Sequence, residues 1–285
     1  MPFTTPLFQD QFAGAPSKRL LDCILQKRLQ GKNRIGLYCS YAPFELIRAM
    51  DAVPITLCAY SNTTIAAAER VLPSNLCPLI KSSYGFITTQ TCPFFELSEA
   101  VIAETTCDGK KKMFELIADI KPMHIMDLPQ IPDDSRAIES WAGMIRQTQR
   151  FLETTFQRPI DDEKIERQIV ETNSKNRLMQ KFFSYAARQP AVLSWTEMYD
   201  VIPLAMVLNA QELSTMLATI FEKLESRIAQ GESSGNGPRV MVSGCPINGD
   251  SAKVFKIIEE AGGVVVALDS CSGMKCFALA IEENS

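Results

Sequence analysis

Histidine occurs once in the 285 residues, as His124. That scarcity removes several chemistries at once. A mixed Cys/His zinc site, a two-histidine metal triad and a Ser-His-Asp relay would each need that same residue. His124 lies inside the apolar run Met123–Leu128, where it reads as a satisfied core histidine rather than a ligand. No Cys-x-x-Cys occurs, which disfavours structural zinc. There is no Gly-x-Gly-x-x-Gly, and Gly262-Gly263 reads as a helix stop, not a dinucleotide fingerprint. No apolar run approaches the roughly 18–20 residues of a membrane-spanning helix. Met1 to Gln11 lacks the basic start and apolar stretch of a secretion signal. An excess of basic charge is absent as well: 29 Lys+Arg stand against 33 Asp+Glu, net −4, which excludes a generally basic nucleic-acid binder. The expected compartment is the cytoplasm, with neither membrane nor nucleic acid as a partner.

What is present is the balance of a globular protein, 46% hydrophobic and 22% charged. The length suits two α/β lobes better than one minimal core. From Arg34 to Gln130, strands alternate with helices. Strands are expected at Arg34–Tyr38, Val53–Leu57, Ala100–Ala103 and Met123–Leu128. Helices are expected at Pro43–Met50, Thr64–Leu72, Leu76–Phe86 and Lys110–Ile120. Helices of this length between strands imply parallel pairing and a doubly wound sheet. The strand signal then disappears from Arg136 to about Gly231. Trp141, Ile145, Leu152 and Phe156 have helical spacing, as do Ile165 and Ile169, Leu178 and Phe182, and Leu213 to Leu224. After the linker Gly231–Pro238, strands at Val240–Val242 and Val264–Leu268 flank a helix at Ser251–Ala261. The expected division is a first α/β lobe with an N-terminal helix (1–135), a helical connector (136–237) and the start of a second, incomplete lobe (238–285). Two strands cannot bury their faces alone, so that lobe needs completion.

Nine cysteines, an odd count with no secretion signal, point to metal ligation or thiol chemistry. Their positions carry the argument. Cys39, Cys107, Cys245 and Cys271 each follow an expected strand, and the first three stand just ahead of a helix. In an open parallel sheet these turns line the carboxyl edge, where such folds place their ligands. Two such edges facing across a cleft would bring Cys39 and Cys107 towards Cys245 and Cys271. Cys23 and Cys58, inside apolar segments, read instead as small buried hydrophobes. Cys77, Cys92 and Cys245 each precede a proline, where 16 prolines would place about 0.5 such pairs by chance. Cys-Pro also occurs at iron–sulfur ligands.

Charge follows the cysteines. Lys110, Lys111 and Lys112 fall in the first turn of a helix after Cys107, where the macrodipole disfavours each cation by roughly 0.3–1 kcal/mol. They read either as a solvated surface turn or as the balance for an anion, such as a thiolate-ligated cluster or a phosphate. Lys81 after Cys77 and Lys275 after Cys271 repeat the association. Glu259-Glu260 reads as a solvated helix face.

The segments Leu76-Cys-Pro-Leu-Ile-Lys-Ser-Ser-Tyr-Gly85 and Glu104-Thr-Thr-Cys-Asp-Gly-Lys-Lys-Lys-Met113 resemble the 2-hydroxyacyl-CoA dehydratase / benzoyl-CoA reductase superfamily. Within it the likeness is to the double-cubane-cluster proteins. Tyr38–Glu45, Met126–Gln130, Ser243–Pro246 and Ser270–Lys275 match in the same order. The resemblance implies two flavodoxin-like lobes holding an iron–sulfur centre, either [4Fe-4S] or a bridged double [4Fe-4S]. It carries over Cys39, Cys77, Cys107, Cys245 and Cys271 as metal ligands. Lys81, Lys110, Lys111 and Lys112 follow as cofactor-facing cations. It further implies a homodimer or heterodimer, a small-molecule or acyl-CoA substrate, and electrons from an ATP-hydrolysing iron–sulfur activator. One departure is that the family continues with another cysteine-bearing turn, whereas this sequence stops at Ile281-Glu-Glu-Asn-Ser285. Cys276, expected in the following helix, is not its replacement.

Three functions remain in view. The first is a low-potential iron–sulfur reductase of the double-cubane type. The second is a [4Fe-4S] dehydratase subunit, in which one electron turns a thioester carbonyl into a ketyl that expels the hydroxyl. The third is a truncated, non-catalytic paralogue.

Overall fold

The computed structural model describes Leu7 and residues 16–284; residues 1–6, 8–15 and 285, and with them the Met1–Gln11 stretch apart from Leu7, lie outside the described residues. The chain divides into two compact units, Gln26–Gln168 and Met1–Leu25 with Ile169–Ser285. These boundaries differ from the three segments expected at 1–135, 136–237 and 238–285. The long helices of the middle region are shared out between the two units.

The unit Gln26–Gln168 is α/β. Its strands β1 (Asn33–Leu37), β2 (Ala52–Thr56), β3 (Ala100–Glu104) and β4 (Met123–Met126) form one parallel sheet in the order β2-β1-β3-β4. Registers are continuous, with Ile35 opposite Pro54 on one side and Ala100 on the other. Every residue of β3 is buried, as expected of a central parallel strand covered on both faces. Ile35, Leu37, Ile102 and Met126 share one face and pack under α2 (Phe44–Ala49) and α7 (Ala137–Phe156). The stripe Trp141, Ile145, Leu152 and Phe156 is therefore the inward side of α7. Alternate residues face the other way. Tyr38 accordingly meets Phe114 of α6 (Asp108–Ala118), ring centroids 5.5 Å apart.

The expected strands all appear, displaced at their ends by one or two residues. The helix expected at Thr64–Leu72 is cut to α3 (Ile65–Ala68), and Pro73 bars helical backbone only at Leu72. Between α4 (Pro78–Thr88) and β3 stands α5 (Pro93–Leu97), too short for periodicity to reveal. His124 differs from its expectation. It is half-buried and stacks on Phe151 at 5.4 Å, but its Nε2 is buried with no hydrogen-bond partner. Burial pushes its pKa down.

In the second unit, α1 (Pro16–Leu29) enters from the chain start and α8 (Asp162–Ala187) from the first unit. There α9 (Trp195–Val207) is buried along most of its length, and α10 (Ala210–Ala229) presents Leu213, Leu217, Ile220 and Leu224 inward. Both open with capping boxes, Ser194 with Glu197 and Asn209 with Glu212. A two-stranded parallel sheet, β5 (Arg239–Ser243) and β6 (Val264–Asp269), brackets α11 (Lys253–Glu260). Phe255 of α11 stacks on Trp195 at 4.7 Å, which seats this sheet's helix on α9. A carboxamide ladder on α8 ties down the last described segment: Asn173, Asn176 and Gln180 donate to the carbonyls of Ile281, Leu279 and Phe277. No helix among the described residues is long and apolar enough to cross a membrane.

Candidate functional site

Strand order fixes where a ligand can approach. The chain runs from β1 outward to β2, then returns past β1 to β3 and β4. The crevice at the carboxyl ends of β1 and β3 is therefore the topological switch point. Four side chains meet there. Cys39 stands just beyond β1 with a left-handed backbone, φ 71°. Glu104 ends β3 and is fully buried. Cys107 stands directly before α6, and Lys110 belongs to its first turn.

Lys110 is 8% exposed, and its Nζ donates to Cys39 Sγ at 2.7 Å. Thr106 Oγ1 lies 3.2 Å from the same sulfur. Burial alone would push the ammonium pKa down, but Cys58 and Cys39, the Cys39 hydrogen bond and Cys107 outweigh it and raise the pKa. Three sulfurs thus act on one buried cation, from the ends of β2, β1 and β3. The neighbouring lysines behave differently. Lys111 pairs with Asp108 at 3.3 Å, and Lys112 with Glu115 at 3.0 Å, both on the surface of α6. The lysine run is therefore both things at once: one cation turned to the thiols and two forming local surface pairs.

Cys58 was expected in the core and is not there. It is half-exposed, two residues beyond β2, and acts on both Lys110 and Tyr38. The rule that located Cys39 and Cys107 also covers Cys58, which follows β2 as Cys39 follows β1 but has no helix directly after it. Cys23 is likewise only half-buried, not a core residue.

Cys77 is exposed and stands directly before α4. Lys81 does not face a thiol: it donates to Glu69 Oε1 and Ser74 O, both at 2.6 Å, and so braces the loop leading into Cys77. Cys92 caps α5, its Sγ accepting from Phe95 N at 3.4 Å. For Cys77 and Cys92 the following proline occupies the first helical turn, where no N–H is needed. Helix initiation therefore accounts for two of the three Cys-Pro pairs.

In the second unit, Cys245 follows β5 and is exposed, and Cys271 follows β6. Tyr199 of α9 lines a small cavity with Cys245, Ile247, Leu268 and Ser270. Burial raises the Tyr199 pKa, against the pull of hydrogen bonds with Ser272 and Ser270. Cys276 Sγ donates to Cys271 O at 2.9 Å, and Lys275 pairs with Asp269 at 3.7 Å.

All nine cysteines are free thiols. Among the described residues no group of three or more His, Cys, Asp or Glu is already converged on a metal position. The donor chemistry still suits a soft, thiophilic centre: thiols gathered at a sheet edge about a buried cation, with histidine excluded.

Residues 39–285 match the model of the family described as 2-hydroxyglutaryl-CoA dehydratase, D-component. The chain belongs to this family. It is also 35% identical over 280 residues to the putative dehydratase subunit YjiM of Escherichia coli (strain K12), covering 98% of this chain and 73% of that protein. To the (R)-phenyllactyl-CoA dehydratase beta subunit of Clostridium sporogenes it is 22% identical, over 84% of this chain and 62% of the relative. To the lactoyl-CoA dehydratase subunit beta of Anaerotignum propionicum it is 21% identical, over 81% of this chain and 60% of the relative. The matched family segment begins at Cys39, the thiol held by Lys110.

Proposed function

We propose that this member of the D-component family is an iron–sulfur redox component that passes low-potential electrons to a small substrate. The observation that carries the reading is the buried Lys110, held against Cys39 and acted on by Cys58 and Cys107 at the switch point of the sheet. When bound, the cluster would supply a low-potential electron. Cys39, Cys77, Cys107, Cys245 and Cys271 are its proposed ligands. Lys110 contributes positive potential beside the thiols, which favours the gain of an electron and offsets the negative charge of several thiolates. Lys111 and Lys112, engaged with Asp108 and Glu115, and Lys81, engaged with Glu69, serve this charge balance only at longer range. The electron source in this reading is a separate ATP-hydrolysing iron–sulfur activator, and the working assembly is a dimer.

Two forms of the reading differ in cluster type. A bridged double [4Fe-4S] centre suits the thiol inventory, since Cys39, Cys58, Cys77 and Cys107 all stand in the loops after strands or before helices of one unit alone. A single [4Fe-4S] centre in a subunit that dehydrates a 2-hydroxyacyl-CoA is favoured by the relatives named as dehydratase beta subunits. Anaerobic reconstitution with iron and sulfide counting separates them: about eight irons per chain for the first, about four for the second. A colourless, iron-free product from oxygen-free preparations refutes both.

A further inference from the structure

Glu104 is a buried carboxylic residue in a strand that is otherwise apolar. Burying such a group is costly unless it has specific partners. Its partners are particular. Oε1 accepts from Tyr41 N at 2.9 Å and from Ala42 N at 2.7 Å, while Oε2 is buried without a hydrogen-bond partner among the described residues. Tyr41 and Ala42 lie between β1 and α2, just after Cys39, in a stretch with no strand or helix to take up its amides. Cys39 itself holds a left-handed conformation that a side-chain-bearing residue adopts only when its surroundings impose it. The Glu104 carboxyl also hydrogen-bonds with the Cys39 thiol, and the other two groups at that sulfur, Thr106 and Lys110, come from the same short segment. A stretch of seven residues, 104–110, thus grips the turn by its backbone and its thiol by the side chains of Glu104, Thr106 and Lys110.

We propose that Glu104 is a positioning residue, whose buried carboxyl clamps the Tyr41 and Ala42 amides and fixes the turn that aims the Cys39 thiol at Lys110. The consequence for redox work rests on the reading of Cys39 as a ligand; the clamp itself does not. A packing residue would not need an acceptor aimed at two consecutive amides. The side chain's acceptor, not its charge, performs this role, so glutamine at 104 keeps the clamp. Aspartate, one methylene shorter, falls short of the amides, and alanine removes it.

The test uses the full chain, metal-free, exposed to iodoacetamide, with alkylation followed at Cys39, Cys77 and Cys92 by peptide mass spectrometry. Cys77 is exposed and serves as the reference; Cys92, half-buried in the same unit, reports general loosening. Loss of two hydrogen bonds to the turn raises the Cys39 rate relative to Cys77 by about tenfold in Glu104→Ala and Glu104→Asp, with Cys92 unchanged. Glu104→Gln stays within about twofold of the unaltered chain. The assignment is overturned if Cys39 does not respond in either variant, if Cys92 accelerates in parallel with it, or if glutamine behaves like alanine. Iron uptake is measured on the same proteins. If the unaltered chain takes up no iron, the ligand reading of Cys39 fails, while the alkylation rates still decide the role of Glu104.

Discussion

Ionisation of Glu104 has a measurable effect on folding. Burial pushes its pKa from the ordinary 4.5 up to about 7, against the pull of the Ala42 and Tyr41 amides, Lys110 and Cys39. Between those two values the folded chain holds a proton that the unfolded chain has released. Stability contributed by the neutral carboxyl is therefore present at low pH and lost as pH rises through this window. The side chain is fully buried, so solvent screening does not reduce the effect. Between pH 5 and pH 8 the loss is on the order of 2–3 kcal/mol. Glu104→Gln keeps the acceptor and removes the ionisation, so the variant gains on the unaltered chain by this amount at the alkaline end and matches it at the acid end. Urea unfolding of both chelator-treated proteins near pH 5 and pH 8 measures it, because groups common to the two cancel in the difference. A difference that stays flat to about 0.5 kcal/mol across that range refutes the argument.

Lys110→Met removes the cation that donates to Cys39 and lowers the midpoint potential of the reconstituted centre by on the order of 50 mV, while Lys112→Met leaves it unchanged; redox-poised spectroscopy compares them. Glu197→Ala strips the partner held 2.6 Å from Arg227, whose side chain is 1% exposed, and costs about 3–5 kcal/mol in urea unfolding. A cost below about 1 kcal/mol would show that Glu232 replaces Glu197. Gly85→Ala places a Cβ 2.2 Å from Thr64 O, a backbone atom, and destabilises by at least about 2 kcal/mol. Gly109→Ala meets only the movable ends of Leu76 and Ile80, and thermal unfolding finds it the milder of the two.

The sheet was legible because its signals are local. Runs such as Ala100–Ala103 and Val264–Leu268 need no distant partner to be recognised, and helical spacing exposed α7 and α10 just as directly. The edge cysteines followed from the strands by one geometric rule. Cys58 obeys the same rule, but its apolar surroundings made it read as a core residue, and that reading concealed a site residue. Glu104 was hidden for another reason. Nothing in its spacing distinguishes a carboxylate exposed at a strand end from one buried beneath a neighbouring turn, since its partners stand 62 and 63 positions away. The lysine run could not be sorted either, because i,i+3 pairing on α6 and burial of a single member depend on which way the helix faces. His124 shows the converse: its apolar setting predicted a satisfied core residue, whereas the ring is half-buried and the fate of its Nε2 depends on side chains distant in sequence.

The left-handed backbone at Cys39 reverses an ordinary expectation of mutational tolerance. Trimming a side chain to hydrogen normally costs more than trimming it to methyl, because glycine has more freedom to lose. At φ 71° the methyl of alanine still meets the following carbonyl, a penalty of about 1 kcal/mol that glycine escapes. Cys39→Gly should therefore melt above Cys39→Ala, although it deletes more. On stability alone the bare residue suits this position better, so the thiol occupies a backbone conformation that its own side chain makes more costly.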